Sequence, residues 1–183
     1  MGKVLERIDE PLCAWLAAQH MFFVATAPSG DAGHVNCSPK GKDSFRVLGP
    51  DAVAYLDLLG SGIETVAHVQ QNGRIVLMFC AFDGPPRIVR LHGRGEVLRP
   101  GTPDFVAVAA AFDCVLPVVR AIVRVQVARV SDSCGFGVPL YRFVGEREEL
   151  TNWAAKKDAA AVATYLRDKN VRSIDGLPGL DGA

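Results

Sequence analysis

Three short segments of the chain combine residue types that can hold an anionic group. In Leu58-Leu59-Gly60-Ser61-Gly62-Ile63-Glu64-Thr65 an apolar run ends in glycines and a helix begins, with Ser61 and Glu64 three positions apart. That spacing is a capping box, in which each side chain satisfies a backbone N–H of the first helical turn. Gly60 and Gly62 leave amides uncovered, so a phosphate could lie against the positive end of the helix, although a purely structural cap uses the same residues. Ser38-Pro39-Lys40-Gly41 supplies a hydroxyl and an ammonium; alone it reads as a strand end and polar turn, and beside the glycine segment it becomes one wall of a site. Arg87 and Arg90, in Arg87-Ile88-Val89-Arg90-Leu91-His92-Gly93, offer guanidinium forks, or equally an exposed sheet face or dimer rim.

Other chemistry-bearing residues read as structural. Cys134 sits among glycines in Ser133-Cys134-Gly135-Phe136-Gly137-Val138-Pro139, but no histidine is close in sequence to activate it, so the segment reads as a tight path that shapes a cleft. The five cysteines (Cys13, Cys37, Cys80, Cys114, Cys134) lack CxxC spacing, and the four histidines (His20, His34, His68, His92) form no metal motif, so neither a disulfide framework nor a metal site is expected. Lys plus Arg equals Asp plus Glu at 20 each, which leaves no field to recruit nucleic acid. No apolar run reaches the ~20 residues of a membrane span, and the N-terminus lacks a signal-peptide core, so a cytoplasmic protein with no membrane partner is expected.

The elements that must position these residues follow from hydrophobic period. Ile8 to His20 carries apolar side chains at helical spacing. Met21–Ala27 and His34–Ser38 form a hairpin; Pro39 ends the register of its second strand and Lys40-Gly41-Lys42 turns. Phe45–Leu48 and Val53–Leu58 are strands, and Val53–Leu58 delivers the chain to the glycine turn. A helix from Thr65 to about Gln71 stops at Asn72-Gly73. Arg74–Phe82 is a continuous apolar strand expected mid-sheet with both faces covered, and Arg87–Leu98 alternates with period two. An alanine-rich helix from Asp104 to about Val115 precedes a last strand, Ala121–Val130, after which Ser131–Pro139 is an irregular link. Glu146–Lys169, with Trp153 and Tyr165 on its apolar stripe, reads as one or two amphipathic helices, and Ser173–Ala183 as loop. With 183 residues, 49% of them hydrophobic, one domain is expected. Its class is mainly β (α+β), a six- to seven-stranded antiparallel split β-barrel at about 20–145, with flanking helices and a C-terminal helical tail at about 146–183.

From Phe22 to Phe143 this order of elements resembles the flavin-binding split-barrel proteins typified by pyridoxamine 5′-phosphate oxidase. The likeness rests on His34-Val35-Asn36-Cys37-Ser38-Pro39-Lys40-Gly41, Tyr55 to Thr65, Arg74 to Phe82, and Arg87 to Gly93, which is similar to the family's Arg-Gln-Val-Arg-Ile-Glu-Gly. More narrowly, the SPKG, GSGxET and SCGFGVP segments resemble an uncharacterised branch of that family. The resemblance implies a homodimer with FMN in a cleft between subunits, and an oxidoreductase acting on a small molecule. It implies that Asn36, Cys37 and Ser38 line the flavin ring edge, and that Lys40 faces the phosphate or ribityl chain. Asp57, Ser61, Gly62 and Thr65 would lie at the phosphate end, with Arg87 and Arg90 approaching from the next strand; no catalytic residue is singled out. The chain departs from the oxidase where Gly62-Ile63-Glu64 replaces an Arg-Lys pair after the serine, where Ile88 replaces glutamine, and in lacking the C-terminal arginine and tryptophan pattern that grips pyridoxal, so pyridoxamine phosphate oxidation is not expected. Two cofactor alternatives stay open within the superfamily: haem, with His34, His68 or His92 as axial ligand, in a haem-storing or haem-degrading protein, and the deazaflavin F420 in a reductase. A barrel without cofactor, serving as a binding module, is a third reading.

Overall fold

The period-two segments join into an antiparallel sheet in the computed structural model, which describes residues 2–113 and 118–180. In chain order the elements are β1 (Lys3–Leu5), α1 (Glu10–Ala17), β2 (Phe22–Thr26), β3 (Asn36–Lys40), β4 (Phe45–Gly49), β5 (Ala52–Leu58), α2 (Glu64–Asn72), β6 (Arg74–Cys80), β7 (Ile88–Leu98), α3 (Pro103–Ala109), β8 (Val119–Ser133), α4 (Glu149–Ala155) and α5 (Ala159–Lys169). Among the described residues the sheet has 8 strands in the order β3-β2-β6-β7-β8-β5-β4, with β1 added beside β8. Strands β3 and β4 end that order without pairing, yet the sheet curls: Phe22 of β2 meets Phe45 of β4 and Tyr55 of β5 with ring centroids 5.5 and 5.7 Å apart. The barrel is therefore split along the β3 and β4 edges.

Side chains of alternate positions fill the interior, where Val24, Val53, Tyr55, Leu77, Phe79, Val89, Leu91 and Val123 are fully buried and Leu12 and Leu16 of α1 close one end. Burial of each such side chain contributes roughly 1.5–3 kcal/mol. Strand β5 is buried on both faces, because Ala54 and Leu56 turn away from the barrel and pack with Val108 and Phe112 beside α3. α1 begins where the Asp9 carboxylate accepts from Leu12 N at 2.9 Å. α2 ends at Gly73, whose φ of 70° provides the left-handed cap and whose N–H reaches Val69 O at 2.9 Å. The tail helices pack through an edge-on Trp153–Tyr165 pair (5.1 Å), and Leu180 of the final segment is buried beside Ile63 and Val66.

Several expectations are corrected. Pro39 does not end the hairpin: β3 continues to Lys40, with Pro39 opposite Phe23, because β3 is an edge strand and tolerates a residue without an N–H. Strand β8 runs through Ser131, Asp132 and Ser133, the start of the expected irregular link, since these residues pair with β1 on one side and β7 on the other. Three-residue β1 is too short to show a period. The sheet's mid-strand β6 buries Ile75, Leu77 and Phe79 fully on one face but leaves Val76 and Met78 half-buried on the other. Val115, at the far end of the expected alanine-rich helix, and Cys114 lie outside the described residues. Among those residues no helix is long and apolar enough to cross a membrane.

Candidate functional site

A cleft of about 930 Å³ opens along the split. The pleat of β3 aims Asn36, Ser38 and Lys40 into it and Cys37 to the exposed face, Pro39 also borders it, and Gly62 and Thr65 line it from the start of α2. Beneath Lys40 lies a buried ionic cluster. Asp57 of β5 is fully buried and accepts from Lys40 Nζ at 2.9 Å and from Arg120 Nε at 2.8 Å. Burial alone would raise the Asp57 carboxyl, but the charges and hydrogen bonds of Lys40 and Arg120 outweigh it and hold the group below the usual carboxylate range. Arg120 also donates through Nη1 to Gly60 O and to Asn170 Oδ1, both at 3.0 Å, while Asn170 Nδ2 donates to Gly60 O at 2.9 Å. Two cations against one carboxylate leave the cluster with a net charge of +1 facing the cleft.

Next to it the polar side chains of the wall bond one another. Asn36 Nδ2 donates to Thr65 Oγ1 at 2.9 Å, and Ser38 Oγ donates to Asn36 Oδ1 at 3.1 Å. Aromatic rings also line the cleft: Trp15, Phe82 and the stacked pair His20–Phe143 (3.7 Å, 8° between planes). Phe143 belongs to an extended arm that lines the cleft, where Tyr141 stacks on Phe82 and its N–H reaches Phe82 O at 2.8 Å.

The capping box does not form. α2 takes Ile63 as its N-cap with no side-chain bond, because Ile63 is drawn into the contact with Val66 and Leu180, and Glu64 becomes the first helical residue. Ser61 is exposed and off the cleft wall. The Glu64 carboxylate instead accepts from Ile174 N at 3.2 Å and folds over Gly62, where a Cβ would stand 2.6 Å from it. Neither arginine of β7 and its approach lines the cleft. Arg87 is held by Asp132 (2.7 and 3.0 Å) and lies over the Trp15 ring at 4.7 Å, and Arg90 donates to Ser133 Oγ at 3.1 Å. The cleft wall contains none of His34, His68 and His92 either: His34 bonds Asp175 at the surface (2.6 Å), and His68 is buried against Thr26. Arg120, Asn170 and the aromatic arm were missed in the sequence. The signal for Arg120 was Asp57 itself, a carboxylate in the middle of a buried apolar strand that needs a cation.

These features coincide with relationships to known proteins. No family model matches the chain. The pyridoxamine 5′-phosphate oxidase family protein ustO of Aspergillus flavus is 37% identical over 194 aligned positions, covering 97% of this chain and 78% of that protein. The chain belongs to the pyridoxamine 5′-phosphate oxidase family. Its fold is shared with more distant structures: HupZ of Group A Streptococcus (TM-score 0.52, 21% identity, 67% of this chain and 91% of that one) and an FMN-binding protein of Syntrophomonas wolfei (TM-score 0.50, 13% identity, 71% and 84%). For this family member the fold is thus a common architecture, and the Lys40–Asp57–Arg120 cluster is how this chain furnishes the floor of its cleft.

Proposed function

We propose that the cleft binds FMN and that the protein is a flavin-dependent oxidoreductase acting on a small molecule. The observation that carries this reading is that one cleft is lined both by cationic and hydroxyl groups (Lys40, Arg120, Ser38, Thr65) and by aromatic rings (Trp15, Phe82, Phe143). A phosphate suits the first set, which includes Lys40 and Arg120 of the net positive cluster around Asp57; a planar ring suits the second. The volume is within the roughly 300–1,000 Å³ of clefts that enclose small ligands. FMN when bound supplies the hydride or electron transfer, and the chain's residues hold, orient and shield it. Lys40 and Thr65 hold the phosphate, Asn36 and Ser38 present polar groups along the ring or ribityl edge, and the arm carrying Tyr141 and Phe143 excludes water.

Flavin is favoured over haem because His34, His68 and His92 lie off the cleft and His20, which lines it, has its ring stacked on Phe143. A homodimer belongs to the same proposal: Phe136, Leu140 and Val144 on and before the arm are 83%, 73% and 92% exposed beside the cleft, an apolar run that a second copy would cover. The test is the visible absorption spectrum of the purified protein, recorded after incubation with FMN, F420 or haemin and desalting, with the mass read by light scattering. A retained flavin spectrum at about one per subunit in a dimer supports the proposal. Retention of haem or F420 alone, or of none of the three, overturns it.

A further inference from the structure

His68 takes no part in the site as described, yet it is 0% exposed and tied to the cleft wall. Its Nδ1 lies 3.0 Å from Thr26 Oγ1, and its Nε2 is buried without a hydrogen-bond partner among the described residues. Thr26, on β2 and itself buried, is approached on its other side by Asn36 Nδ2 at 3.5 Å. The second hydrogen of that amide goes to Thr65 Oγ1 at 2.9 Å, while Asn36 Oδ1 accepts from Ser38 Oγ. A single chain of bonds therefore runs His68, Thr26, Asn36, and then branches to Thr65 and Ser38.

The direction of that chain can be worked out by counting protons. If Nδ1 carries the imidazole hydrogen, it donates to Thr26 Oγ1, and both the Thr26 hydroxyl hydrogen and the Nε2 lone pair are stranded. If Nε2 carries it, Thr26 donates to Nδ1, Asn36 donates to Thr26, and only the Nε2–H is unpaired. One orphan costs less than two, so the neutral Nε2–H form is selected. Burial depresses the His68 pKa in the same sense, against the opposing charges of Asp175 in the C-terminal segment and Glu64 on α2.

We propose that His68 is a positioning residue which, through Thr26, fixes the orientation of the Asn36 amide and thereby the hydrogen-bonding pattern of the cleft. With Nδ2 turned inward, Thr65 Oγ1 is filled as an acceptor and its own hydrogen points to the ligand as a donor. Ser38 has spent its hydrogen on Asn36 Oδ1 and offers the ligand only lone pairs. The wall therefore takes a ligand with an acceptor, such as a phosphate or carbonyl oxygen, at Thr65 and an N–H or O–H at Ser38. The assignment of that ligand as FMN rests on the function proposed above; the bond chain does not.

The experiment reads both separately. In flavin-free protein, the Asn36 side-chain amide signals are followed by ¹⁵N NMR, with their exchange against water, in wild type, Thr26→Val, Thr26→Ser, His68→Leu and His68→Asn. Valine keeps the shape of Thr26 without its hydroxyl, and asparagine places an oxygen acceptor near the Nδ1 position. Shifted, faster-exchanging signals are expected in Thr26→Val and His68→Leu and wild-type signals in Thr26→Ser and His68→Asn. FMN Kd is then measured by titration and should weaken about 3- to 10-fold in the first pair, the effect of one lost buried hydrogen bond, with recovery in the second. Unchanged amide signals in Thr26→Val, or Kd losses that the conservative variants do not restore, overturn the proposal. Should His68→Leu not fold, the Thr26 pair decides. A wild-type protein that binds no FMN refutes the proposed function, while the amide signals still judge the role of His68.

Discussion

Replacement of Asp57 by asparagine is the perturbation that interrogates the floor of the cleft most sharply. The change is isosteric, and it leaves two cations, Lys40 and Arg120, whose nitrogens lie 2.9 and 2.8 Å from the former carboxylate oxygens. Removing one partner of a buried ionic cluster costs about 3–5 kcal/mol, because the remaining charge loses its compensation in a low dielectric. Arg120 is only 5% exposed and cannot leave, whereas Lys40, at 16%, can swing toward solvent, so the lower end, about 3 kcal/mol, is expected. For a chain of this size that lowers Tm by roughly 6–12 °C. Thermal and urea unfolding in an anion-poor buffer measure the loss. The acid limb supplies a second reading. The Asp57 pKa is lower folded than unfolded, so its contribution is present above the unfolded value of about 3.9 and is lost as pH falls through the folded one. Asp57→Asn should therefore flatten the acid loss of stability, and because the cluster passes from +1 to +2, inorganic phosphate should stabilise the variant more than the wild type. A stability loss below about 1 kcal/mol with an unchanged acid limb would refute the reasoning.

Three further outcomes are expected. Asn170→Ala removes the fully buried amide that braces Arg120 and Gly60, and should cost about 2 kcal/mol in urea unfolding and weaken FMN binding without any contact to the ligand. Gly93→Ala should cost about 3 kcal/mol by the same assay: the strand register shifts at Gly93, and a Cβ there would overlap Gln126 O and stand 2.9 Å from its carbonyl carbon. The wild type should lose stability as pH falls below about 6.5, where unfolded His68 takes a proton that the buried one, with its lowered pKa, resists; unfolding curves between pH 5 and 8 should show a shallower slope for His68→Asn.

Much of the architecture was legible because burial imposes a period. Arg87–Leu98 alternates because one face of β7 is interior, and Asn72-Gly73 marked the end of α2 because the cap needs a left-handed residue. Asn36, Ser38 and Lys40 came from the family resemblance rather than from period, because the sequence put Lys40 in a turn; the continuation of β3 to Lys40 makes them alternate residues of one strand. The rest depended on tertiary context. Ser61 and Glu64 have the spacing of a capping box, but the burial of Ile63 moved the helix start past it. Pro39 looked like a strand end because an edge position cannot be recognised before the strand order is known. The pairing of Asp57 with Arg120 spans 63 positions and Arg120 with Asn170 spans 50, so no local pattern joins them. Arg87 and Arg90 were drawn to Asp132 and Ser133 of β8, residues expected in an irregular link.

The central claim, a flavin phosphate held by Lys40 in the cleft, is tested most directly by parallel fluorescence titrations of FMN and riboflavin with wild type and Lys40→Met. Loss of one charge-assisted hydrogen bond, with Asp57 still paired to Arg120, predicts that FMN weakens about tenfold or more while riboflavin is unaffected, and that the wild type prefers FMN by at least that factor. Equal binding of FMN and riboflavin by the wild type, or an FMN affinity unchanged in Lys40→Met, would contradict it.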